Sequence, residues 1–239
     1  MNRRLLKIRR VPLLWIALCV VAIAGCSGNA DDRAASNQAR LPDTAPDGGS
    51  EPARPRVVAL GDSLTAGLGI SEQQAYPALL QKKIDADGYQ FDVVNAGVSG
   101  DTSAGGVRRL DWALEGDVKV LIVALGANDG LRGLSVPEMK KNLTQIIERA
   151  KERQIVVILA GMEAPPNYGP EYTVSFRQAY GEVASEQRVL VIPFLLEGVA
   201  GRSSLNQGDG VHPTAEGAAV MAETVWRVLK PVLDQMSTS

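Results

Sequence analysis

The sequence predicts a three-layer α/β/α fold on a five-stranded parallel sheet, and three observations carry that prediction. Short apolar runs alternate with stretches of helical periodicity through residues 57–239. The middle run, Val118–Leu125, is apolar at nearly every position, as suits a parallel strand covered on both faces. Five strand–helix units fit into 183 residues, enough for one domain with a sizeable core, and no internal repeat is present.

The elements follow in order. Val57–Leu60 is an apolar run that stops at Gly61 and is expected as strand one. Ala75–Asp87 carries Leu79, Leu80 and Ile84 at helical spacing and stops at Gly88. Phe91–Val94 is expected as strand two, and Thr102–Leu114 as a helix with Val107, Leu110 and Leu114 on one side. Val118–Leu125 is strand three. Ser135-Val-Pro-Glu138 has the pattern of a capped helix start with proline in the first turn. That helix should reach about Arg153, with Leu143, Ile146 and Ile147 inward. Ile155–Ala160 is strand four, a helix follows over Tyr172–Glu186, and Val189–Pro193 is strand five. Thr214–Gln235 is the closing helix. Right-handed crossovers leave few topologies, of which the flavodoxin-like strand order is expected. In such sheets, sites lie at the carboxyl ends of the strands.

Composition narrows the chemistry. The chain of 239 residues has one histidine and two cysteines, Cys19 and Cys26. His-cluster metal sites and zinc-finger spacings are thereby excluded, and no metal or cofactor is expected. Any imidazole base must be His212. Residues 1–25 hold five of the 25 basic residues and none of the 27 acidic ones, so the remainder carries a net charge of −7. An acidic body without a basic stripe argues against a nucleic-acid partner.

The N-terminus reads as an export signal. Residues 1–10 are basic, and Val11–Ala24 is an apolar run of 14 residues. A spanning helix needs about 20, so the run fits a signal core better. It ends in Ile23-Ala24-Gly25-Cys26, which resembles a bacterial lipobox. That resemblance implies cleavage before Cys26, lipidation of Cys26, and loss of Cys19 with the signal. Ser27 after the cysteine implies an exported lipoprotein of the outer membrane, facing the periplasm. Two or three acyl chains, each buried CH₂ worth about 0.8 kcal/mol, would anchor it to the membrane. Residues 27–56 are rich in Ala, Asp, Gly, Pro, Ser and Arg, with Leu41 the only large aliphatic. Such a stretch buries too little apolar surface to offset its ordering entropy and is expected as a tether. The domains are thus expected as signal 1–25, anchor and tether 26–56, and one folded domain 57–239.

Four strand ends carry residues of chemical interest. Gly61-Asp62-Ser63-Leu64 follows strand one, and Asn95-Ala96-Gly97-Val98-Ser99-Gly100-Asp101 follows strand two. Gly126-Ala127-Asn128-Asp129 follows strand three, and Asp209-Gly210-Val211-His212-Pro213 precedes the closing helix. In order and placement these four blocks resemble those of the SGNH (GDSL) hydrolases. The resemblance covers essentially all of 57–239. It is closest to the bacterial esterase / thioesterase I / lysophospholipase L1 group, which Asn128-Asp-Gly-Leu-Arg-Gly133 and Ala164-Pro-Pro-Asn-Tyr-Gly169 also resemble.

The resemblance implies a serine hydrolase cleaving carboxylic esters of small-molecule or lipid substrates, and each block has a physical reading that agrees. A serine hydroxyl becomes a useful nucleophile when a base takes its proton. Ser63 sits at a strand-to-helix turn, His212 is the one imidazole, and a turn through Gly210 could bring the Asp209 carboxylate to it. Asp62 is expected to support the turn as a cap. The oxyanion needs donors, and the N–H groups of Ser63 and Gly97 with the Asn128 amide are the candidates. The segment after strand four is expected to line the acyl side through Met162, Pro166, Asn167 and Tyr168, with Leu131 and Leu134 adding apolar wall. A monomer is expected.

Other readings fit less well. No serine lies in Gly-x-Ser-x-Gly, the nucleophile elbow of another hydrolase fold. The glycines of 100–106 lack the Gly-Lys-Ser/Thr of a phosphate-binding loop. A carbohydrate O-acetyl esterase is compatible with the fold. A non-catalytic lipoprotein would be expected to have lost Ser63, Asp209 or His212, and all three are present.

Overall fold

The structure, a computed structural model, describes residues 54–238. The expected signal segment with Cys19, the expected lipidation site Cys26 and most of the expected tether lie outside the described residues. The element order is β1 (Arg56–Gly61), α1 (Ser63–Ala66), α2 (Tyr76–Ala86), β2 (Asp92–Gly97), α3 (Ser103–Ala113), β3 (Val118–Ala124), α4 (Ala127–Leu131), α5 (Val136–Glu152), β4 (Val156–Ala160), α6 (Pro170–Gln187), β5 (Leu190–Ile192) and α7 (Ala215–Ser237). All five strands are parallel and lie in the order β2-β1-β3-β4-β5. This is the flavodoxin-like order. It reverses direction at β1, so a crevice opens between the carboxyl ends of β1 and β3.

Burial explains the strand patterns. In the central strands, Val57–Leu60 and Val120–Leu125 are all buried, because helices cover both faces. Helices α2 and α7 pack together on one face, and α3, α5 and α6 on the other. The edge strands β2 and β5 are only partly buried. Helix starts follow local chemistry. Thr102 caps α3 by accepting from Gly105 N, Ser135 caps α5 from Glu138 N, and Thr214 caps α7 from Gly217 N.

Two helices go beyond the sequence reading. Helices α1 and α4 have four and five residues, too few for a period to register. Both begin directly after a strand, and both carry site residues. Strand β2 also runs on to Gly97, three residues past the expected end, where Gly97 pairs with Gly61.

Candidate active site

The residues at the ends of β1 and β3 are held by a buried carboxylate. Asp62 is 1% exposed and caps α1, its Oδ1 accepting from Leu64 N at 3.0 Å. Its other oxygen, Oδ2, accepts from Asn128 Nδ2 at 3.2 Å. Asp62 thus supports the turn, as expected, and also fixes the amide of Asn128 with one of its two N–H bonds. Burial pushes the Asp62 carboxyl up to about 6 from an ordinary 3.8, against the opposing pull of these hydrogen bonds. The native chain therefore holds this proton more tightly than the unfolded chain. That stabilisation is complete below about pH 3.8 and is lost as pH rises through about 6. The span corresponds to roughly 3 kcal/mol. Asp62→Asn has no such proton, so its Tm minus that of wild type should rise between pH 4 and 7; a value that stays constant or falls would contradict the assignment.

Ser63 opens α1, so its backbone N–H has no partner within the helix. Its Oγ lies 2.9 Å from His212 Nε2. His212 Nδ1 lies 2.6 Å from Asp209 Oδ2. An ionised carboxylate only accepts, so Nδ1 carries the proton and Nε2 is left to accept from the serine hydroxyl. The turn through Gly210, at φ +69°, lets Asp209 Oδ1 accept from the N–H of Val211 and of His212 as well. The His212 side chain and these backbone donors hold the Asp209 carboxyl well below the usual carboxylate range. Gln207 ties this hairpin to the serine loop, donating through Nε2 to Leu68 O and to Pro213 O.

Gly97, expected among the oxyanion donors, is not brought to the cleft. Its N–H donates to Asn95 Oδ1 at 3.0 Å, and the residue is seated in the sheet beneath α1. A Cβ there would stand 2.3 Å from Ala66 N, so glycine is required for close packing. Gly100 lines the cleft instead, beside Ser63 and Asn128. It adopts φ +80°, and its N–H has no acceptor among the described residues. The signal was present in the sequence as the glycine before Asp101 and the Thr102 cap.

The cleft beside Ser63 encloses about 590 Å³. Leu131, Met162 and Pro166 line it as expected, whereas Leu134, Asn167 and Tyr168 do not. The Tyr168 hydroxyl donates to Leu131 O at 2.9 Å, and its ring lies against Gly133. That contact closes the segment onto α4 rather than onto the cleft. Leu134 is exposed, its carbonyl accepting from Tyr172. The wall is completed by Leu68, Val211 and the stretch between β5 and the hairpin, chiefly Phe194, Leu196 and Ala200. No periodicity or motif marked that stretch. Asn206, also in the wall, is buried with its amide NH₂ donating to Val199 O and Arg202 O. Among the described residues no group of His, Cys, Asp and Glu is placed to hold a metal ion.

A doubly wound parallel sheet with a hydroxyl, an imidazole and a carboxylate chained at its carboxyl edge, beside an apolar cleft, is the build of an ester-hydrolysing α/β enzyme. The chain belongs to the GDSL-like lipase/acylhydrolase family, whose pattern matches residues 59–220. It is 43% identical over 178 residues to the esterase TesA of Pseudomonas aeruginosa, covering 74% of this chain and 89% of that one. It is 35% identical over 182 residues to thioesterase 1/protease 1/lysophospholipase L1 of Escherichia coli K12, covering 76% and 86%. Among solved structures, the psychrotrophic esterase EstA from Pseudoalteromonas sp., inhibited by monoethylphosphonate, superposes with a TM-score of 0.71 at 33% identity, covering 75% of this chain and 98% of that one.

Proposed function

We propose that this chain hydrolyses carboxylic esters of short to medium acyl chains, with arylesters, thioesters and lysophospholipids in range, through a Ser63–His212–Asp209 triad. The observation that carries the reading is the continuous relay from Ser63 Oγ through the imidazole to Asp209, at 2.9 and 2.6 Å. His212 Nε2 takes the Ser63 proton as Oγ attacks the ester carbonyl carbon. The carbonyl π pair becomes the oxyanion, which the N–H groups of Ser63 and Gly100 and the free N–H of Asn128 receive. His212 then gives its proton to the departing alkoxide or thiolate. Water repeats the sequence and frees the acid. Asp209 remains ionised and stabilises the imidazolium. The apolar wall of Leu131, Met162, Phe194 and Leu196 favours an acyl chain over an acetylated sugar.

A serine-directed organophosphonate should label Ser63 alone, and turnover of a p-nitrophenyl ester should vanish in step with labelling. Label on another serine, or no turnover by unlabelled protein, would overturn the reading. Activity across a series of acyl lengths, as esters and thioesters, then ranks the substrates.

The lipobox-like Ile23-Ala24-Gly25-Cys26 supports a second part of the reading, that the enzyme is an exported, outer-membrane-anchored lipoprotein. Cys26→Ser should move activity from the membrane fraction to the soluble one. Activity that stays with membranes would remove the anchor assignment.

A further inference from the structure

We propose that Arg109 is a positioning residue for the oxyanion donors, setting where Gly100 stands relative to Ser63; the inference rests on the proposed reading of the site. Arg109 lies on α3 and does not line the cleft. Its guanidinium makes three bonds to three different segments. Nη2 donates to Gly61 O at 2.7 Å, Nη1 to Ala96 O at 2.7 Å, and Nε to Asp101 Oδ2 at 2.6 Å.

Two of the acceptors adjoin residues that line the cleft, Gly61 beside Asp62 and Asp101 beside Gly100, and the third lies on the neighbouring strand. Gly61 is two residues before Ser63. Ala96 is the last but one residue of β2 and lies beside it, since Leu60 pairs with Ala96 and Gly61 with Gly97 across the two strands. Asp101 directly follows Gly100. The intervening turn is itself closed on the same anchor, with Val98 N donating to Gly61 O and Asp101 N to Val98 O. Gly105 leaves the space for the Asp101 carboxylate, because a Cβ there would fall 1.5 Å from Oδ1. The pair is shielded, the Arg109 and Asp101 side chains being 17% and 12% exposed. Charge-assisted bonds of this kind are short, strong and weakly screened.

The fork geometry is what the site uses. A guanidinium is planar and presents its donors at fixed angles, so three acceptors bound to it are fixed relative to one another. The two strand-end carbonyls locate the chain leading into Ser63, and Asp101 locates Gly100. The spacing of the two backbone N–H donors is thereby set from behind, by a group that touches neither substrate nor reacting atoms. A lysine offers a single point charge and cannot hold all three acceptors.

The test compares wild type with Arg109→Met, Arg109→Lys and Asp101→Asn, each confirmed folded by its thermal transition. Arg109→Met should lower kcat about 10- to 100-fold with KM within about twofold, the scale of loss when catalytic groups are misplaced by about 1 Å. Affinity for an aryl trifluoromethyl ketone should fall by the same factor as kcat. That ligand forms a bond from Ser63 Oγ to the ketone carbon, passes the serine proton to His212, and leaves an oxyanion among the same donors. Arg109→Lys should recover less than about a tenth of the lost activity, since charge without the fork is not enough. Asp101→Asn leaves the guanidinium on both carbonyls and weakens only its hold on the loop, so it should lower kcat about 3- to 10-fold. It also serves as the deciding variant if Arg109→Met fails to fold. A folded Arg109→Met with unchanged kcat, a loss confined to KM, unchanged ketone affinity, full recovery by lysine, or an Asp101→Asn enzyme with wild-type kcat would each overturn the proposal. These outcomes presuppose an active wild type. An inactive wild type, or one not labelled at Ser63, instead removes the reading of the site and this inference with it.

Discussion

Ser63→Ala should lower kcat for a p-nitrophenyl ester by about 10⁴-fold or more, while Tm stays within a few degrees of wild type. The hydroxyl is the atom that attacks, so its loss leaves only the donors around the oxyanion and whatever binding the cleft provides. Little stability is at stake. Ser63 Oγ has one side-chain partner, His212 Nε2, and that nitrogen can bind water in the variant. His212→Ala should fall to a similar floor. The two effects should not add, because serine and imidazole act as one unit: the double variant should be no slower than either single one. A Ser63→Ala enzyme retaining more than about a hundredth of wild-type kcat would exclude the serine as nucleophile.

Asn128→Ala should lower kcat about 10²- to 10³-fold with little change in KM, the usual cost of removing one oxyanion donor. This position is also coupled to stability. Asn128 Nδ2 is one of the donors that hold the buried Asp62 carboxylate. Removing it leaves Oδ2 without its bond in a site that is 1% exposed. The expected cost is about 1–3 kcal/mol at neutral pH, easing in acid as Asp62 takes up a proton. Steady-state kinetics and thermal melts at pH 5 and pH 8 check both halves. If kcat holds while Tm drops, Asn128 braces Asp62 and receives no oxyanion.

Legibility in the sequence differed from residue to residue. The continuous apolar runs of β1 and β3 were readable because a strand covered on both faces has no polar alternation to blur it. The handedness of crossovers left few orders, among them the flavodoxin-like one that the structure shows. Helices α1 and α4 were not readable, since four or five residues carry no period, yet each presents a site residue at its start. Ser63 and His212 were readable for a different reason. A single histidine leaves one candidate imidazole, and the resemblance of the four strand-end blocks pointed to Ser63 as its partner. Which glycine faces the cleft was not readable in the same way. Gly97 and Gly100 stand three residues apart in the same block. Their difference is that Gly97 gives its N–H to Asn95 while the N–H of Gly100 is left unbonded.

The cleft divides along the same line. Leu131, Met162 and Pro166 lie in the segments between a strand and its next long helix, where the sequence placed the wall of the cleft. Tyr168 is in a similarly suggestive place but spends its hydroxyl on Leu131 O. Phe194, Leu196 and Ala200 reach the cleft from a stretch without a motif.

By itself, then, the sequence supported the class of fold and its strand order through hydrophobic period and chain handedness, and proposed Ser63, His212 and Asp209 through the resemblance of its four strand-end blocks, with one histidine leaving one imidazole. Only the tertiary structure decided which glycine N–H is free, which side chains wall the cleft, and that Arg109 grips Gly61, Ala96 and Asp101 together. Those depend on hydrogen-bond acceptors and contacts far apart along the chain, 48 residues for Arg109 with Gly61 and 139 for Gln207 with Leu68, and a donor is free or spent only once the fold has set its neighbours beside it.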